Sequence, residues 1–259
     1  MEYIEGYVTF IDILGFSNYV SNEVNIEKTQ DLFTFIEKFR YFYNSSPKLK
    51  TEISFFSDSI IITTSNFESA VVAVYIAESY LQKNIGLLFR GGLTYGKYYH
   101  ENNVTFGPAV IAAYKLEQKA VYSRIIIDKE LSNPIDEELL IFQDIDGAIC
   151  CNPYATMINE NISYGRNNVV YQDKDITKKI IYSFKENRNR LLHQIKIHKG
   201  SPVVDKYLWR IRPYNYTCDL IANMSCGEVL LEDPFFAVSA DLKENTKILK
   251  ITEKDICLL

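Results

Sequence analysis

The chain has 259 residues, 47% of them hydrophobic and 14% aromatic, with a formal net charge of −5. This composition excludes a disordered protein, provides apolar surface for a large core, and disfavours nucleic acid as a partner, because binding phosphates requires a basic surface. There is no apolar run of membrane-spanning length, no leader-like N-terminus and no paired spacing among the five cysteines, so we expect a cytoplasmic protein without membrane contact.

The first half of the chain alternates β-rich runs with helical apolar periodicity. The pattern predicts, in chain order, a strand at 7–16, a helix at 27–43, two strands joined by a Ser-Asp-Ser turn at 57–59, a helix at 67–82, a strand at 87–96 that pairs back through 98–100, a helix from 107 to about 121 and a strand at 124–128. This order predicts an α+β fold over residues 1–130, with helices on one face of a mainly antiparallel sheet.

The second half of the chain has a different pattern of polar and apolar residues. Residues 142–154 alternate acidic and apolar side chains, and 152–175 are predicted to be a polar loop. A long amphipathic helix follows at about 173–198, a short one at about 203–211, and two β-like runs at 228–231 and 235–238. We therefore expect residues 131–259 to form a C-terminal extension packed on the first domain.

Two aspartates occupy suggestive positions in the first domain. Asp12 ends an apolar strand shortly before Gly15, and Asp58 occupies the tip of the predicted hairpin. A carboxylate at a strand end and another at a hairpin tip can converge on one point. Two carboxylates with a glycine leaving the backbone open suit two divalent cations and a triphosphate.

Four stretches, in this order, resemble a known family: residues 10–16, 56–59, 90–96 and 107–117. They are similar to the catalytic domain of class III nucleotidyl cyclases. The whole chain most resembles the pyrimidine nucleotide cyclases of the bacterial antiphage Pycsar system, with a weaker match in the helix that contains Trp209.

The resemblance implies a two-metal mechanism. Asp12 and Asp58 would each bridge two Mn²⁺ or Mg²⁺ ions, with the Ile13 carbonyl as a further ligand. The ribose 3′-oxygen would attack the α-phosphorus and release pyrophosphate, while backbone N–H groups around Gly15 and Phe16, at the start of a helix, would cradle phosphate oxygens.

The resemblance also implies a partner and basic residues. The active form would be a homodimer with composite sites, and the cyclic product would signal to a separate effector that this chain does not contact. Lys115 would be catalytic and Arg90 would contact substrate, although a solvated Lys115 and a surface ion pair of Arg90 are the simpler interpretations. For Gly91-Gly92, a bulge or close helix packing is as reasonable as ligand access.

The chain departs from purine cyclases at several positions. Ile111 and Lys115 stand where those enzymes have Asn and Arg, and Ser54 and Val104 stand at the purine-selective positions. Lysine cannot replace the bidentate contact of arginine.

The flanking aromatic residues Phe56 and Tyr95 would tighten the pocket. We therefore expect UTP as substrate, with CTP as the close alternative. A purine cyclase and a non-catalytic nucleotide sensor remain the alternative functions.

Overall fold

The computed structural model describes residues 2–21, 26–44, 50–101, 104–131, 139–155, 173–224, 226 and 239–259. The chain divides into two compact units. Unit 1 comprises residues 1–136 and 143–151, and unit 2 comprises residues 137–142 and 152–259. The division of the chain into a catalytic domain ending near residue 130 and an extension packed on it stays a prediction.

A mostly antiparallel sheet is the framework of unit 1. The strands are β1 (Ile4–Leu14), β2 (Thr51–Phe56), β3 (Ser59–Thr64), β4 (Leu88–Glu101), β5 (Val104–Phe106), β6 (Ile125–Ile127), β7 (Ile141–Gln143) and β8 (Ile149–Cys151). Their order is β2-β3-β1-β4-β6-β8-β7, with β5 paired to β4. The neighbours β1–β3, β1–β4, β2–β3, β4–β5 and β6–β8 are antiparallel, whereas β4 and β6 are parallel. The predicted α+β class is confirmed.

Helices connect these strands. They are α1 (Phe16–Val20), α2 (Ile26–Asn44), α3 (Phe67–Tyr80), which continues into a π-helical turn at Leu81–Ile85, and α4 (Pro108–Lys119). The Asn66 side chain caps α3 by accepting a hydrogen bond from the Ser69 N–H at 2.9 Å. Pro108 occupies the first turn of α4, where its missing N–H has no intrahelical partner to lose. The helix start that was expected around Gly15 and Phe16 corresponds to α1.

Unit 2 contains five helices among its described residues. Its helices are α5 (Asp173–Ile197), α6 (Val204–Trp209), α7 (Ile211–Asn223), α8 (Ala240–Leu249) and α9 (Glu253–Cys257). The buried Tyr214 hydroxyl donates towards the carbonyls of Phe184 and Leu249, and so links α7 to α5 and α8. The predicted helices at 173–198 and 203–211 match α5 and α6, whereas the β-like runs at 228–231 and 235–238 lie outside the described residues. No helix in the described part of the chain is long and apolar enough to cross a membrane.

The two faces of the sheet carry different helices, so the prediction of helices on one face is wrong. Phe10 of β1 contacts Tyr114 of α4, with ring centroids 5.3 Å apart. Tyr7 is three residues before Phe10 in β1, and its ring centroid lies 5.6 Å from that of Phe67 in α3. Alternate residues of a strand point to opposite faces, so α3 and α4 pack on opposite sides of β1.

A glycine pair allows α4 to approach the sheet closely. A Cβ on Gly92 would overlap the Ala113 carbonyl oxygen and the Leu116 Cβ, both on α4. A Cβ on Gly91 would overlap the Phe10 carbonyl oxygen and the Ile125 side chain. Of the interpretations left open for this pair, close packing is what the structure shows.

We expect Gly92→Ala to destabilise the protein by about 1–3 kcal/mol, because the added methyl group must push α4 away from β4. Lys97→Ala, at an exposed position of the same strand, is the matched control and should change stability little. Denaturant midpoints of the two variants and the wild type test this. A Gly92→Ala midpoint equal to that of the wild type would contradict the packing account.

Candidate active site at the end of strand β1

The end of β1 and the β2–β3 turn bring Asp12 and Asp58 together. Asp12 is the register partner of Ser59, the residue that follows Asp58. The Ile13 N–H donates to the Asp58 carbonyl at 2.8 Å. The turn is tight because Ser57 adopts a left-handed conformation with φ of 54°. The predicted hairpin therefore places its aspartate beside the last residues of β1.

An arginine joins this pair from the neighbouring strand. Arg90 of β4 is the register partner of Asp12, and its Nε lies 3.3 Å from the Asp12 Oδ2. The same Nε lies 2.7 Å from the Glu117 Oε1 on α4. Arg90 thus contacts two carboxylates on the face of the sheet that α4 covers.

Glu117 was not singled out from the sequence as a site residue. Its side chain is only 4% exposed. Burial raises its pKa, Arg90 opposes this, and the nearby charges of Asp12 and Asp58 raise the pKa further. A sequence signal did exist: Glu117 follows Ala109 and Ala113 at helical spacing, on the face of α4 that packs inwards.

The donors at this end fit a hard divalent cation. Carboxylate and carbonyl oxygens of Asp12, Asp58 and Ile13 are the ligand types that Mg²⁺ and Mn²⁺ prefer. Among the described residues, no three His, Cys, Asp or Glu side chains are grouped to hold a metal by themselves. This is compatible with Mg²⁺, which is commonly held by one or two carboxylates together with substrate phosphates and water.

Gly15 and Phe16 lie where β1 passes into α1. Gly15 has φ of 79°, a left-handed conformation that glycine adopts without strain, and its carbonyl accepts from the Tyr19 N–H at 3.0 Å. The backbone therefore turns directly after the Asp12 strand. Phosphate binding by these N–H groups stays a prediction.

The predicted base-selective position Ser54 lies farther along the same face. Ser54 is 8% exposed, and its Oγ lies 2.8 Å from the Thr105 Oγ1. Val104, the position matched from the sequence, is 54% exposed and precedes the residue that contacts Ser54. Neighbouring residues of a strand point to opposite faces, so Thr105 faces Ser54 and Val104 does not. The sequence analysis did not identify Thr105. Phe56, two residues beyond Ser54, is 82% exposed.

Two predicted site residues lie away from the Asp12 cluster. Tyr95 belongs to the opposite face, where its ring lies 5.0 Å from that of Tyr7. Lys115 is exposed, two residues from the buried Glu117 and therefore on the outer side of α4. Their predicted roles in substrate binding and catalysis stay predictions.

The acidic pair Asp144 and Asp146 lies in a turn before Gly147, as its sequence predicts, and both carboxylates pair with Arg124. The buried Arg124 guanidinium lies 2.6 Å from each carboxylate. The hydrogen bond from Arg124 lowers the pKa of Asp146. Gly147, with φ of 79°, closes the turn between β7 and β8.

The raised pKa of Glu117 predicts a pH-dependent stability in EDTA. An acid whose pKa is higher in the folded state binds its proton more tightly there, so its contribution to stability decreases as pH rises through that pKa. The stability of Glu117→Gln relative to wild type should therefore increase as the pH rises above the range in which an ordinary glutamate titrates, through the raised pKa of Glu117.

Unfolding by denaturant at several pH values measures this difference. Glu244→Gln, at an exposed position, is the control and should show no such trend. A difference between Glu117→Gln and wild type that is constant with pH would show that burial of Glu117 has no such effect.

Comparison with known proteins gives fold-level likeness alone. No protein-family model matches the sequence, and no curated protein is significantly similar to it. The chain is similar to a crystal structure of an adenylate/guanylate cyclase/hydrolase from Silicibacter pomeroyi, with 16% identity and a TM-score of 0.40 over 58% of this chain and 95% of that one. It is also similar to the catalytic core of a rhodopsin-guanylyl cyclase with converted specificity in complex with ATPαS, with 14% identity and a TM-score of 0.44 over 58% of this chain and 98% of that one.

Proposed function

We propose that this chain is a nucleotide cyclase that converts a pyrimidine nucleoside triphosphate, UTP in preference to CTP, to its 3′,5′-cyclic monophosphate and pyrophosphate. The observation that carries the proposal is the convergence of Asp12 and Asp58 at the end of β1, beside Arg90. By the resemblance to Pycsar cyclases, the product would act as a second messenger in antiphage defence.

Each residue of the cluster has a task in this reaction. Asp12, Asp58 and the Ile13 carbonyl would hold two Mn²⁺ or Mg²⁺ ions, which would acidify the ribose 3′-hydroxyl and neutralise the triphosphate. Arg90 supplies a positive charge on the same face, where it can meet charge that develops on the phosphates. Glu117 holds the guanidinium in place, because its buried carboxylate contacts the Nε and leaves the two terminal nitrogens for other partners.

The pyrimidine assignment is supported by the region around Ser54. Short hydroxyl side chains, Ser54 and Thr105, contact each other, and the exposed Phe56 lies two residues farther along β2 on the face of Ser54. Such groups suit hydrogen bonds to one base edge, and a wrong edge is penalised when a buried polar group is left unpaired.

Competition among the four ribonucleoside triphosphates at equal concentration, with Mn²⁺ and mass spectrometry of the products, tests the assignment. We expect cyclic UMP as the main product and cyclic CMP as the second. Predominant cyclic AMP or cyclic GMP would make the protein a purine cyclase, and the absence of any product despite nucleotide binding would make it a sensor.

Asp12→Asn and Asp58→Asn should each reduce turnover to background, because each change removes one metal-binding charge while keeping the side-chain size. The thermal midpoint in EDTA should stay near that of the wild type, as both residues are partly exposed. Asp205→Asn, at an exposed position of unit 2, is the control and should retain full turnover. Substantial cyclase activity of either site variant would disprove the two-metal assignment.

The placement of Lys115 supports a homodimeric enzyme. Glu117 and Ala113 face the sheet, so Lys115 points away from Asp12 in its own chain. The exposed side chains Ile111 and Tyr114 form an apolar surface beside it. In a symmetric dimer, Lys115 of one copy would serve the metal site of the other.

Mixing inactive variants tests this arrangement. Asp58→Asn and Lys115→Ala chains should regain activity together, up to about a quarter of the wild-type level, because half of the dimers are mixed and each has one intact site. A mixture of Asp12→Asn and Asp58→Asn chains is the control and should stay inactive, since both changes affect the metal-binding half. Full wild-type activity from a species that sediments as a monomer would refute the composite site.

A further inference from the structure

A chain of short polar contacts links Ser54 to a histidine and a glutamate in unit 1. The Ser54 Oγ lies 2.8 Å from the Thr105 Oγ1, which lies 2.7 Å from the His100 Nδ1. The other ring nitrogen of His100, Nε2, lies 2.6 Å from the Glu52 Oε2. We call Glu52, His100, Thr105 and Ser54 the polar relay.

The fold places the relay members opposite one another. His100 and Thr105 are register partners in the β4–β5 hairpin, and Glu52 and Ser54 are alternate residues on one face of β2. The His100 side chain is 7% exposed, whereas that of Glu52 is 51% exposed. The imidazole is therefore held between an acceptor reached by solvent and a hydroxyl.

The chemistry of these groups constrains where the protons lie. An ionised carboxylate only accepts hydrogen bonds, so Nε2 of His100 carries a proton. When His100 is neutral, Nδ1 accepts, and the single hydroxyl proton of Thr105 must be donated to it. Ser54 must then donate its own proton to Thr105, which leaves only lone pairs on Ser54 for a ligand.

Protonation of His100 reverses the direction of these hydrogen bonds. With a proton on Nδ1, His100 donates to Thr105, Thr105 donates to Ser54, and the Ser54 proton becomes available to a ligand. Ser54 then presents a donor. The two states of the relay thus offer opposite hydrogen-bonding groups at one place.

We infer that Glu52, His100 and Thr105 are positioning residues that set the hydrogen-bonding polarity of Ser54, and thereby the choice between a 4-amino and a 4-oxo pyrimidine. This inference rests on the proposed function. Neutral His100 makes Ser54 an acceptor, which matches the amino group of cytosine. Charged His100 makes Ser54 a donor, which matches the carbonyl of uracil, so the proposed preference for UTP over CTP belongs to the charged state of His100.

Other charged and titratable groups lie near His100. A cavity of about 430 Å³ lies beside it, and its remaining charged or titratable lining groups are Glu5, Tyr43, Lys50 and Tyr98. Burial raises the pKa of both Tyr43 and Tyr98, so neither phenol ionises in the range where a histidine titrates. Glu5 and Lys50 are exposed and of opposite charge.

The ratio of kcat/KM for UTP to that for CTP, measured against pH, tests the relay, because effects of pH on catalysis itself cancel in the ratio. For the wild type we expect the ratio to be about tenfold or more higher at the acidic end of the enzyme's working range than at the alkaline end, because only charged His100 makes Ser54 a donor. Thr105→Val removes the hydroxyl at constant shape, and its ratio should not change with pH. Thr105→Ser restores the hydroxyl and should restore the pH profile.

A second measurement determines the protonation of His100 in the absence of substrate. In the full chain labelled with ¹⁵N-histidine, the His100 signal, assigned by its loss in His100→Gln, should show the Nε2–H tautomer when neutral. The Nδ1–H tautomer would overturn the proposal.

The outcomes separate the two proposals. Pyrimidine cyclisation with a flat ratio in the wild type, or a wild-type profile in Thr105→Val, overturns the relay alone. Cyclisation of purine triphosphates only overturns the specificity role together with the proposed function.

Discussion

The close approach of α4 to β4 is the constraint on which the site of unit 1 depends. Because Gly92 has no side chain, the backbone of α4 at Ala113 and the side chain of Leu116 lie directly against the strand. The next residue of the helix, Glu117, then reaches Arg90, which is two residues from Gly92 and on the same face. A bulkier residue at position 92 would move the helix and separate this pair.

The electrostatics of the cluster explain why so polar a group persists in a packed fold. Asp12, Asp58 and Glu117 bring three acidic groups near one arginine, and the burial of Glu117 makes its ionisation unfavourable. One guanidinium balances only part of this negative charge when all three are ionised. Such an excess, next to exposed backbone at Gly15, favours cations and, through them, phosphates. The cluster thus keeps uncompensated negative charge in the packed part of unit 1.

Sequence reasoning reached the parts of the site that depend on local chemistry. The apolar run before Asp12, the turn around Asp58 and the Gly-Pro start of α4 are each encoded within a few residues, and the structure has all three. The Arg90–Glu117 contact and the Ser54–Thr105 contact join residues far apart in sequence. They follow from strand register and helix approach, which no local pattern determines. A shift of one residue separates Val104 from Thr105, and it reverses which side chain faces Ser54. The helices after residue 211 were not predicted, because the buried face of the first of them includes Pro213, Tyr214 and Thr217, which are not strongly apolar.

The two sides of α4 carry different residues, one packed on the sheet and the other exposed. Ala109, Ala113 and Glu117 recur at helical spacing and bind the helix to the sheet, while Ile111 and Lys115 recur on the exposed side. A helix whose inner side is fixed so tightly cannot rotate to bring Lys115 towards Asp12 without breaking the contact at Gly92. Any ligand that needs both the carboxylates of β1 and the ammonium group of Lys115 must therefore receive the latter from a second copy of the chain. The small residues Gly92, Ala109 and Ala113, which bring Glu117 to Arg90, are thus the same ones that keep Lys115 on the far side of the helix.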